Sequence, residues 1–149
     1  MTDILIDSTN GVMTLTLNRV EKKNSITTAM YTAMAQALTE AQADTSVRVV
    51  VFQGHETIFS AGNDIADFLK APDVSMDAPV MRFLAAISSF HKPVLASVCG
   101  PAVGIGTTLL LHCDLVYAAE NAKFQLPFVN LALCPEAGSS LLLPRLAGH

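Results

Sequence analysis

Residues 100–111 form the stretch that most constrains how this chain can fold. Their sequence is GPAVGIGTTLLL, and it directly follows an apolar run at residues 94–98. Such a run predicts a buried strand, the glycines allow a tight turn, and residues 107–111 can wind into a helix. Backbone N–H groups at a helix start lack intrahelical partners, and the helix dipole favours negative charge there. The stretch therefore predicts a turn that can hold an oxygen on which negative charge develops.

An ordinary strand-to-helix crossover of an α/β protein has the same pattern, so this stretch alone indicates no chemistry. Two other stretches favour a chemical role over an ordinary crossover. Residues 59–65, FSAGNDI, repeat the order of apolar residue, glycine turn and helix start. Residues 134–140, CPEAGSS, place the carboxylate of Glu136 in a turn between two apolar segments. The three stretches together indicate a chemical site.

Strand and helix signals alternate along the chain, which favours the α/β class. The first predicted elements are a hairpin of residues 4–7 and 12–17 around Asn10-Gly11, a helix from Ile26 with Ser25 or Thr27 as its cap, and a strand at 47–52. A short helix that is capped by Asp64 and ends near residue 70, a loop at 71–77 and a helix at 80–90 are expected to follow. The rest of the chain predicts strands at 94–98 and 115–118, an apolar stretch with strand character at 124–133 and a helix at 141–146. No internal repeat or linker is visible in the sequence, so residues 1–149 are expected to form one domain.

The composition limits the classes of partner. Hydrophobic residues make up 51% of the chain and charged residues 15%, so we expect either that other protein covers part of the surface or that the chain belongs to a longer protein. The net charge is −4 and the nine basic residues are scattered, which disfavours nucleic acid and anionic membranes as partners. Residues 94–111 are uncharged, but their glycines and proline favour a buried strand and turn over a membrane span. The first residues show no secretory signal, and a cytoplasmic location is expected.

The cysteines and histidines indicate no metal site. Cys99, Cys113 and Cys134 are odd in number, lie in apolar surroundings and lack C-x-x-C spacing. Buried, reduced thiols are therefore expected. The four histidines share no ligand spacing either.

Three motifs in a fixed order resemble those of the enoyl-CoA hydratase/isomerase family, also called the crotonase family. They are SAGND at residues 60–64, GPAVGIG at residues 100–106 and CDLVYA at residues 113–118. The resemblance covers nearly the whole chain and is closest to the peroxisomal-type branch of 3-enoyl-CoA to 2-enoyl-CoA isomerases. It implies a spiral of ββα units without the family's C-terminal helical part, assembly into a homotrimer or a dimer of trimers, and acyl-CoA thioester substrates. CoA is then part of the substrate, and no separate cofactor or metal is expected.

The resemblance also implies roles for single residues. The two backbone N–H groups that polarise the thioester carbonyl and hold the enolate would belong to Asn63 and Ile105. Many members have glycine where Ile105 stands, but isoleucine supplies the same N–H group. The residues implied on the CoA side of the site are Ala61, whose carbonyl contacts adenine in the family, Asp64, Lys22 and Lys23. Solvated surface positions explain the two lysines equally well.

The carboxylates decide which reaction the resemblance implies. Family hydratases activate a water molecule with two glutamates, and the matching positions here are Thr108 and Phe128. Neither side chain is a carboxylate base, so hydration is disfavoured. Glu136 instead resembles the single catalytic glutamate of the isomerase branch. The expected function is therefore the conversion of 3-enoyl-CoA to 2-enoyl-CoA in fatty-acid metabolism, with Glu136 as acid and base.

The base of such an isomerase must be stronger than an ordinary glutamate. We therefore expect an apolar pocket that raises the pKa of Glu136. The candidate walls of this pocket are Ile105, Phe128, Leu131 and Leu133.

Other interpretations stay open. Without the resemblance, Glu136 would be an acid that stabilises the start of a helix at residues 137–146. A triad of Ser139, His112 and Asp114 lacks a G-x-S-x-G turn, which favours a helix-capping role for the serine. The chain as a whole could also be a non-catalytic acyl-CoA-binding or assembly subunit, or catalyse another crotonase-type reaction on an acyl-CoA.

Overall fold

The computed structural model describes residues 2–70 and 75–148, in which a mostly parallel sheet packs against helices. The strands are β1 (Ile4–Thr9), β2 (Val12–Leu17), β3 (Val49–Gln53), β4 (Val94–Val98), β5 (Pro101–Val103), β6 (Leu115–Ala118) and β7 (Lys123–Gln125). The helices are α1 (Thr28–Ala43), α2 (Ile65–Lys70), α3 (Pro79–Ser88), α4 (Ile105–Thr108) and α5 (Ser139–Ala147). None of the helices in these two ranges is long and apolar enough to cross a membrane.

The main sheet has the strand order β1-β2-β3-β4-β6. β1 and β2 are antiparallel and meet at Asn10 and Gly11, whose φ angles are +54° and +83°. The remaining neighbours in this sheet are parallel, and a second small sheet pairs β5 with β7 in parallel. Parallel neighbours need crossover connections, and the helices lie in these connections. The predicted hairpin and the predicted α/β class are confirmed.

The core lies between the main sheet and the helices α1 and α3. Met30, Met34 and Leu38 of α1 recur every fourth residue and are buried, which gives this helix one apolar face. The Thr27 hydroxyl accepts the Met30 N–H at 3.3 Å, so Thr27, and not Ser25, caps α1. Ile26, directly before this cap, forms a parallel bridge with Asn63, so the start of α1 approaches the predicted site.

The segment around the glycine turn differs from the prediction. α4 begins at Ile105 and not at residue 107, and a 3-10 turn (Leu109–His112) continues it. Residues 101–103, predicted as part of the turn, form β5 because β7 supplies hydrogen-bond partners from a later part of the chain. Gly100 before β5 has a φ of +67°, and a Cβ there would lie 2.1 Å from the Thr57 carbonyl oxygen. Glycine is therefore required at this turn.

The prediction for residues 124–133 needs correction, and the prediction for residues 71–77 lies partly outside the described residues. The apolar stretch at residues 124–133 is not one strand, because β7 ends before Pro127, which has no N–H for a ladder, and a 3-10 turn (Val129–Leu131) follows. Of the predicted loop at 71–77, residues 71–74 lie outside the described residues.

The prediction of buried cysteines is wrong for Cys134. This residue is exposed, because it lies in the turn before α5 and not in an element of the core. Cys99 and Cys113 are half-buried, and all three cysteines are free thiols. Burial, followed by the charge of Asp114, raises the pKa of the Cys113 thiol to about 12, which keeps it protonated at neutral pH.

Large apolar side chains are exposed in the last third of the chain. β6 is exposed along its whole length, and the residues concerned are Leu115, Val116, Tyr117, Phe124, Val129, Leu131, Leu133, Leu141 and Leu146. An apolar surface of this kind is typical of a region that further protein covers. This exposed apolar surface agrees with the expectation, drawn from the composition, that other protein covers part of the surface or that the chain belongs to a longer protein.

Candidate active site

The two glycine turns predicted from the sequence lie side by side. Phe59 and Ser60 each donate their N–H to the Pro101 carbonyl at 3.1 Å, and the Val103 N–H donates to the Ser60 carbonyl at 2.9 Å. These bonds fix the first turn, residues 60–64, against β5. Because α4 follows β5 after a single residue, the first turn and the start of α4 belong to one site.

Two glycines permit this close approach. A Cβ on Gly62, whose φ is +93°, would lie 2.9 Å from the Val103 carbonyl oxygen. A Cβ on Gly106 would lie 2.9 Å from the Ser60 Cβ and 3.0 Å from the Ser60 carbonyl oxygen. Because glycine has no Cβ at either position, the first turn can lie this close to β5 and to α4.

We expect Gly106→Ala to lower the free energy of unfolding by about 1–3 kcal/mol, since the added methyl group must push α4 away from Ser60. Urea unfolding followed by circular dichroism measures this change. An unfolding midpoint equal to that of the wild type would show that the close approach of the two segments contributes nothing to stability.

The N–H groups of Asn63 and Ile105 have no acceptor among the described residues. Ile26 donates its N–H to the Gly62 carbonyl at 2.8 Å and accepts the Asp64 N–H at 2.9 Å, so Asn63 lies between these two bonds. In a parallel bridge the N–H of the middle residue points away from the partner strand. No described residue accepts the Asn63 N–H. Ile105 is the first residue of α4, and the N–H groups of a first helical turn have no intrahelical partner.

Glu136 lies in the turn that leads into α5. The Ser139 N–H donates to the Glu136 carbonyl at 2.9 Å, and Ala137 and Gly138 both have positive φ, +51° and +68°. His112 Nε2 lies 2.8 Å from the Ala137 carbonyl oxygen and therefore carries the proton that it donates. The turn that holds Glu136 is thus attached to the 3-10 turn that continues α4.

The Glu136 carboxylate is half-buried and makes no hydrogen bond to the residues described. Desolvation raises the pKa of this carboxyl above its ordinary value of 4.5. α5 starts after Gly138 without a side-chain cap, and the alternative interpretation of Glu136 as an acid that stabilises this helix start stays a prediction. Among the predicted apolar walls, Ile105 and Phe128 are buried. Leu131 and Leu133 are 52% and 58% exposed, and the roles of all four residues as pocket walls stay predictions.

Tyr31 of α1 is a site residue that sequence reasoning missed. Its side chain is buried, and its hydroxyl donates to Asn63 Oδ1 at 2.5 Å. Burial, followed by the negative charge of Glu136, raises the pKa of the Tyr31 phenol well above 10. Tyr31 is therefore hydrogen-bonded to Asn63 and lies within range of the charge of Glu136. The signal was a tyrosine beside the apolar face of a helix, since a buried tyrosine hydroxyl needs a polar partner.

A mostly apolar cavity of about 180 Å³ opens beside Tyr31 and Asn63. Its further lining includes Ile26, Phe68, Pro79 and Val80. A cavity of this kind suits an apolar ligand group held next to a few polar atoms.

The residues predicted for CoA form a second cluster next to the first turn. The Ala61 N–H donates to the Lys23 carbonyl at 2.9 Å, which brings the exposed Lys22 and Lys23 to this turn. The Asp64 carboxylate accepts the Asp67 N–H at 3.0 Å and the Arg19 Nη1 at 2.8 Å. The Asp67 N–H, followed by the Arg19 guanidinium, lowers the pKa of Asp64 to about 2. Asp64 caps α2 as predicted, whereas the CoA roles of these residues stay predictions.

The residues of the disfavoured triad do not act together. Ser139 Oγ is buried and has no partner among residues 2–70 and 75–148, while His112 is bonded to Ala137. The Asp114 carboxylate accepts the Val94 N–H at 2.8 Å. Over the same ranges no group of three or more His, Cys, Asp or Glu side chains could hold a metal ion.

Comparison with known proteins gives consistent matches over nearly the whole chain. A family model described as enoyl-CoA hydratase/isomerase matches residues 7–149. Enoyl-CoA delta isomerase 2 from Rattus norvegicus is 41% identical over 97% of this chain and 38% of its own length. 1,2-epoxyphenylacetyl-CoA isomerase from Escherichia coli (strain K12) is 40% identical over 98% of this chain and 58% of its own length.

Hydratases and solved structures match as well. 2,3-dehydroadipyl-CoA hydratase from Escherichia coli (strain K12) is 34% identical over 99% of this chain and 58% of its own length. The structure of Pseudomonas aeruginosa OdaA shares 57% identity and a TM-score of 0.96, and the match covers all of this chain and 60% of OdaA. The chain therefore spans between 38% and 60% of the lengths of these proteins.

Proposed function

Because this chain belongs to the enoyl-CoA hydratase/isomerase family, we propose that it converts a 3-enoyl-CoA thioester to the conjugated 2-enoyl-CoA. Membership confirms the predicted crotonase-like α/β fold, and a substrate of the acyl-CoA class agrees with it. Isomerases and hydratases are both among the relatives, so the choice of reaction rests on the residues of the site.

One carboxylate is sufficient for this isomerisation. The Glu136 carboxylate removes a proton from the α carbon, and the electron pair of the C–H bond moves into a dienolate. The N–H groups of Asn63 and Ile105 hold the negative charge on the thioester oxygen. The Glu136 carboxylic acid then returns the same proton to the γ carbon, which leaves the double bond between the α and β carbons. No atom is gained or lost, and no further reactant is needed.

The observation that carries the proposal is the identity of the groups around Glu136. Thr108 and Phe128, at the two positions where family hydratases have glutamates, are both buried and neither is a carboxylate. Hydration requires one group to position the water and another to accept its proton, whereas Glu136 is a single desolvated carboxylate whose charge acts on Tyr31. This set of residues supports proton transfer within one substrate rather than addition of water.

Two assays on the purified chain test the proposal. With a 3-enoyl-CoA substrate, we expect the absorbance of the conjugated thioester to rise. With 2-enoyl-CoA in water, we expect little loss of that absorbance, because no second carboxylate activates water. Rapid hydration of 2-enoyl-CoA without isomerisation would overturn the proposal in favour of a hydratase.

Two alternatives have distinct results in the same experiment. Binding of acyl-CoA without turnover of any thioester would indicate a non-catalytic binding or assembly subunit. Inertness towards 3-enoyl-CoA, combined with turnover of another acyl-CoA, would indicate another reaction of the family. The match to 1,2-epoxyphenylacetyl-CoA isomerase favours an epoxide of an arylacetyl-CoA as the first such thioester to try.

The pH dependence of kcat/KM is expected to report the raised pKa of Glu136. The base acts in its deprotonated form, and desolvation raises its pKa above the ordinary value of 4.5. The value of kcat/KM should therefore be highest at high pH and should fall as the pH drops through the raised pKa. This fall should begin at a higher pH than it would for an ordinary glutamate. Rates measured between pH 4 and pH 9 test this, and a rate that stays constant down to pH 5 would contradict it.

A further inference from the structure

We propose that Tyr31 is a positioning residue for the oxyanion site, acting through the side chain of Asn63. The inference rests on the proposed function, in which the Asn63 N–H holds the thioester oxygen. Together with the backbone bonds of Ile26, Tyr31 then keeps this N–H in the direction that the reaction needs. It lies on α1, more than 30 positions before Asn63 in the sequence.

The Tyr31 ring is held in a fixed place. The residue is 5% exposed, and its ring packs against Phe83 of α3 with centroids 5.6 Å apart at 48°. Phe83 in turn contacts Phe52 of β3 edge-on at 6.2 Å. Because these rings join α1, α3 and the main sheet, the Tyr31 hydroxyl is presented from the rigid core of the protein.

The backbone and the side chain of Asn63 are held by different partners. The Asn63 N–H lies in the same planar peptide unit as the Gly62 carbonyl, which accepts the Ile26 N–H at 2.8 Å. The Ser60 hydroxyl accepts the Gly62 N–H at 3.1 Å. The side chain of Asn63 bonds to no described residue except Tyr31. The Tyr31 hydroxyl therefore adds a side-chain contact to the backbone bonds that set the direction of the Asn63 N–H.

The direction of this hydrogen bond defines what Tyr31 acts on. The Tyr31 hydroxyl has one proton, and it is donated to Asn63 Oδ1. The hydroxyl therefore acts on the oxyanion donor residue and not on the base.

Tyr31→Phe tests the inference with the loss of a single oxygen atom. We expect kcat for the 3-enoyl-CoA to fall about tenfold with KM changed less than twofold, because the lost bond acts on the transition state. Asn63→Ala removes the same bond and keeps the backbone N–H, so it should have a similar effect, and the double variant should lose no more than either single one. Tyr117→Phe, at an exposed tyrosine, is the matched control and should leave kcat unchanged.

A spectroscopic measurement separates this inference from the proposed function. A bound conjugated enoyl-CoA absorbs at longer wavelength when N–H donors polarise its carbonyl, whether or not the protein turns it over. We expect the wild type to show this shift and Tyr31→Phe to show a smaller one at equal saturation. A wild-type shift that is smaller in Tyr31→Phe, without isomerase activity in either protein, would overturn the proposed function and support the inference. Equal shifts in the two proteins, or losses of kcat that add up in the double variant, would overturn the inference.

The melting temperature of each variant shows whether the folded state is kept. Asn63→Ala provides a second route to the same conclusion if Tyr31→Phe unfolds, since the Asn63 side chain is only half-buried and its removal disturbs no ring packing. A wild-type kcat in folded Asn63→Ala would overturn the inference by itself.

Discussion

Replacement of Glu136 by glutamine is expected to lower kcat for 3-enoyl-CoA about 10³-fold, while acyl-CoA still binds. Glutamine has the same shape but cannot take a proton from the α carbon, and a positioned acid–base group typically contributes a factor of about 10² to 10⁴. The measurement is the rise in conjugated-thioester absorbance under saturating substrate, with binding followed by calorimetry. Glu120→Gln, which changes an exposed glutamate, is the matched control and should keep the wild-type rate. A Glu136→Gln rate within tenfold of the wild type would mean that another group is the base.

The same substitution has an expected effect on stability with a defined sign. Desolvation raises the pKa of Glu136 in the folded protein, so the charged form is disfavoured by folding. This destabilisation is present above the raised pKa and absent below the ordinary value of 4.5. Glu136→Gln should therefore raise the melting temperature at pH 7.5 and leave it unchanged at pH 4. A higher melting temperature together with a lower kcat at pH 7.5 is typical of a residue that is kept for catalysis at a cost in stability.

Local rules predicted the turns of the candidate site but not the roles of its residues. The glycine turns follow from the sequence, although the helix after the second turn was expected at residue 107 and begins at Ile105. The roles of Asn63, Ile105 and Glu136 are implied by the resemblance to the family, and for Glu136 the residues alone favoured an acid that stabilises a helix start. The structure adds that hydrogen bonds from Phe59, Ser60 and Val103 bring the two turns together.

The parts that were missed depend on partners distant in the sequence. Tyr31 and Asn63 are 32 positions apart, and nothing near Tyr31 in the sequence indicates that its hydroxyl meets an amide. β5 and β7 have three residues each, too few for a period, and they form because each is the other's hydrogen-bond partner. Cys134 shows the opposite error, since apolar surroundings in the sequence predicted burial where the turn before α5 leaves this thiol exposed.

Removal of the Ile105 N–H should have the second largest effect on catalysis. Proline at position 105 has no N–H, and the first position of a helix is where proline is best tolerated. The preceding Gly104, with φ +55° and ψ −121°, can accept the restriction that proline places on its neighbour. Loss of one donor from an oxyanion site typically lowers kcat about 10²- to 10³-fold. We expect Ile105→Pro to show a decrease of this size.

Ile105→Val is the control that separates the N–H from the side chain. Valine has three side-chain carbons, like proline, and keeps the N–H, so it reproduces the lost volume at this buried position. We expect a stability loss of about 0.5–1.5 kcal/mol for Ile105→Val, with kcat close to that of the wild type. If both variants fold and lose activity equally, Ile105 acts through its side chain as a wall of the pocket. A large loss confined to Ile105→Pro, with a smaller absorbance shift of a bound conjugated thioester, would identify the backbone N–H as the group that stabilises the dienolate.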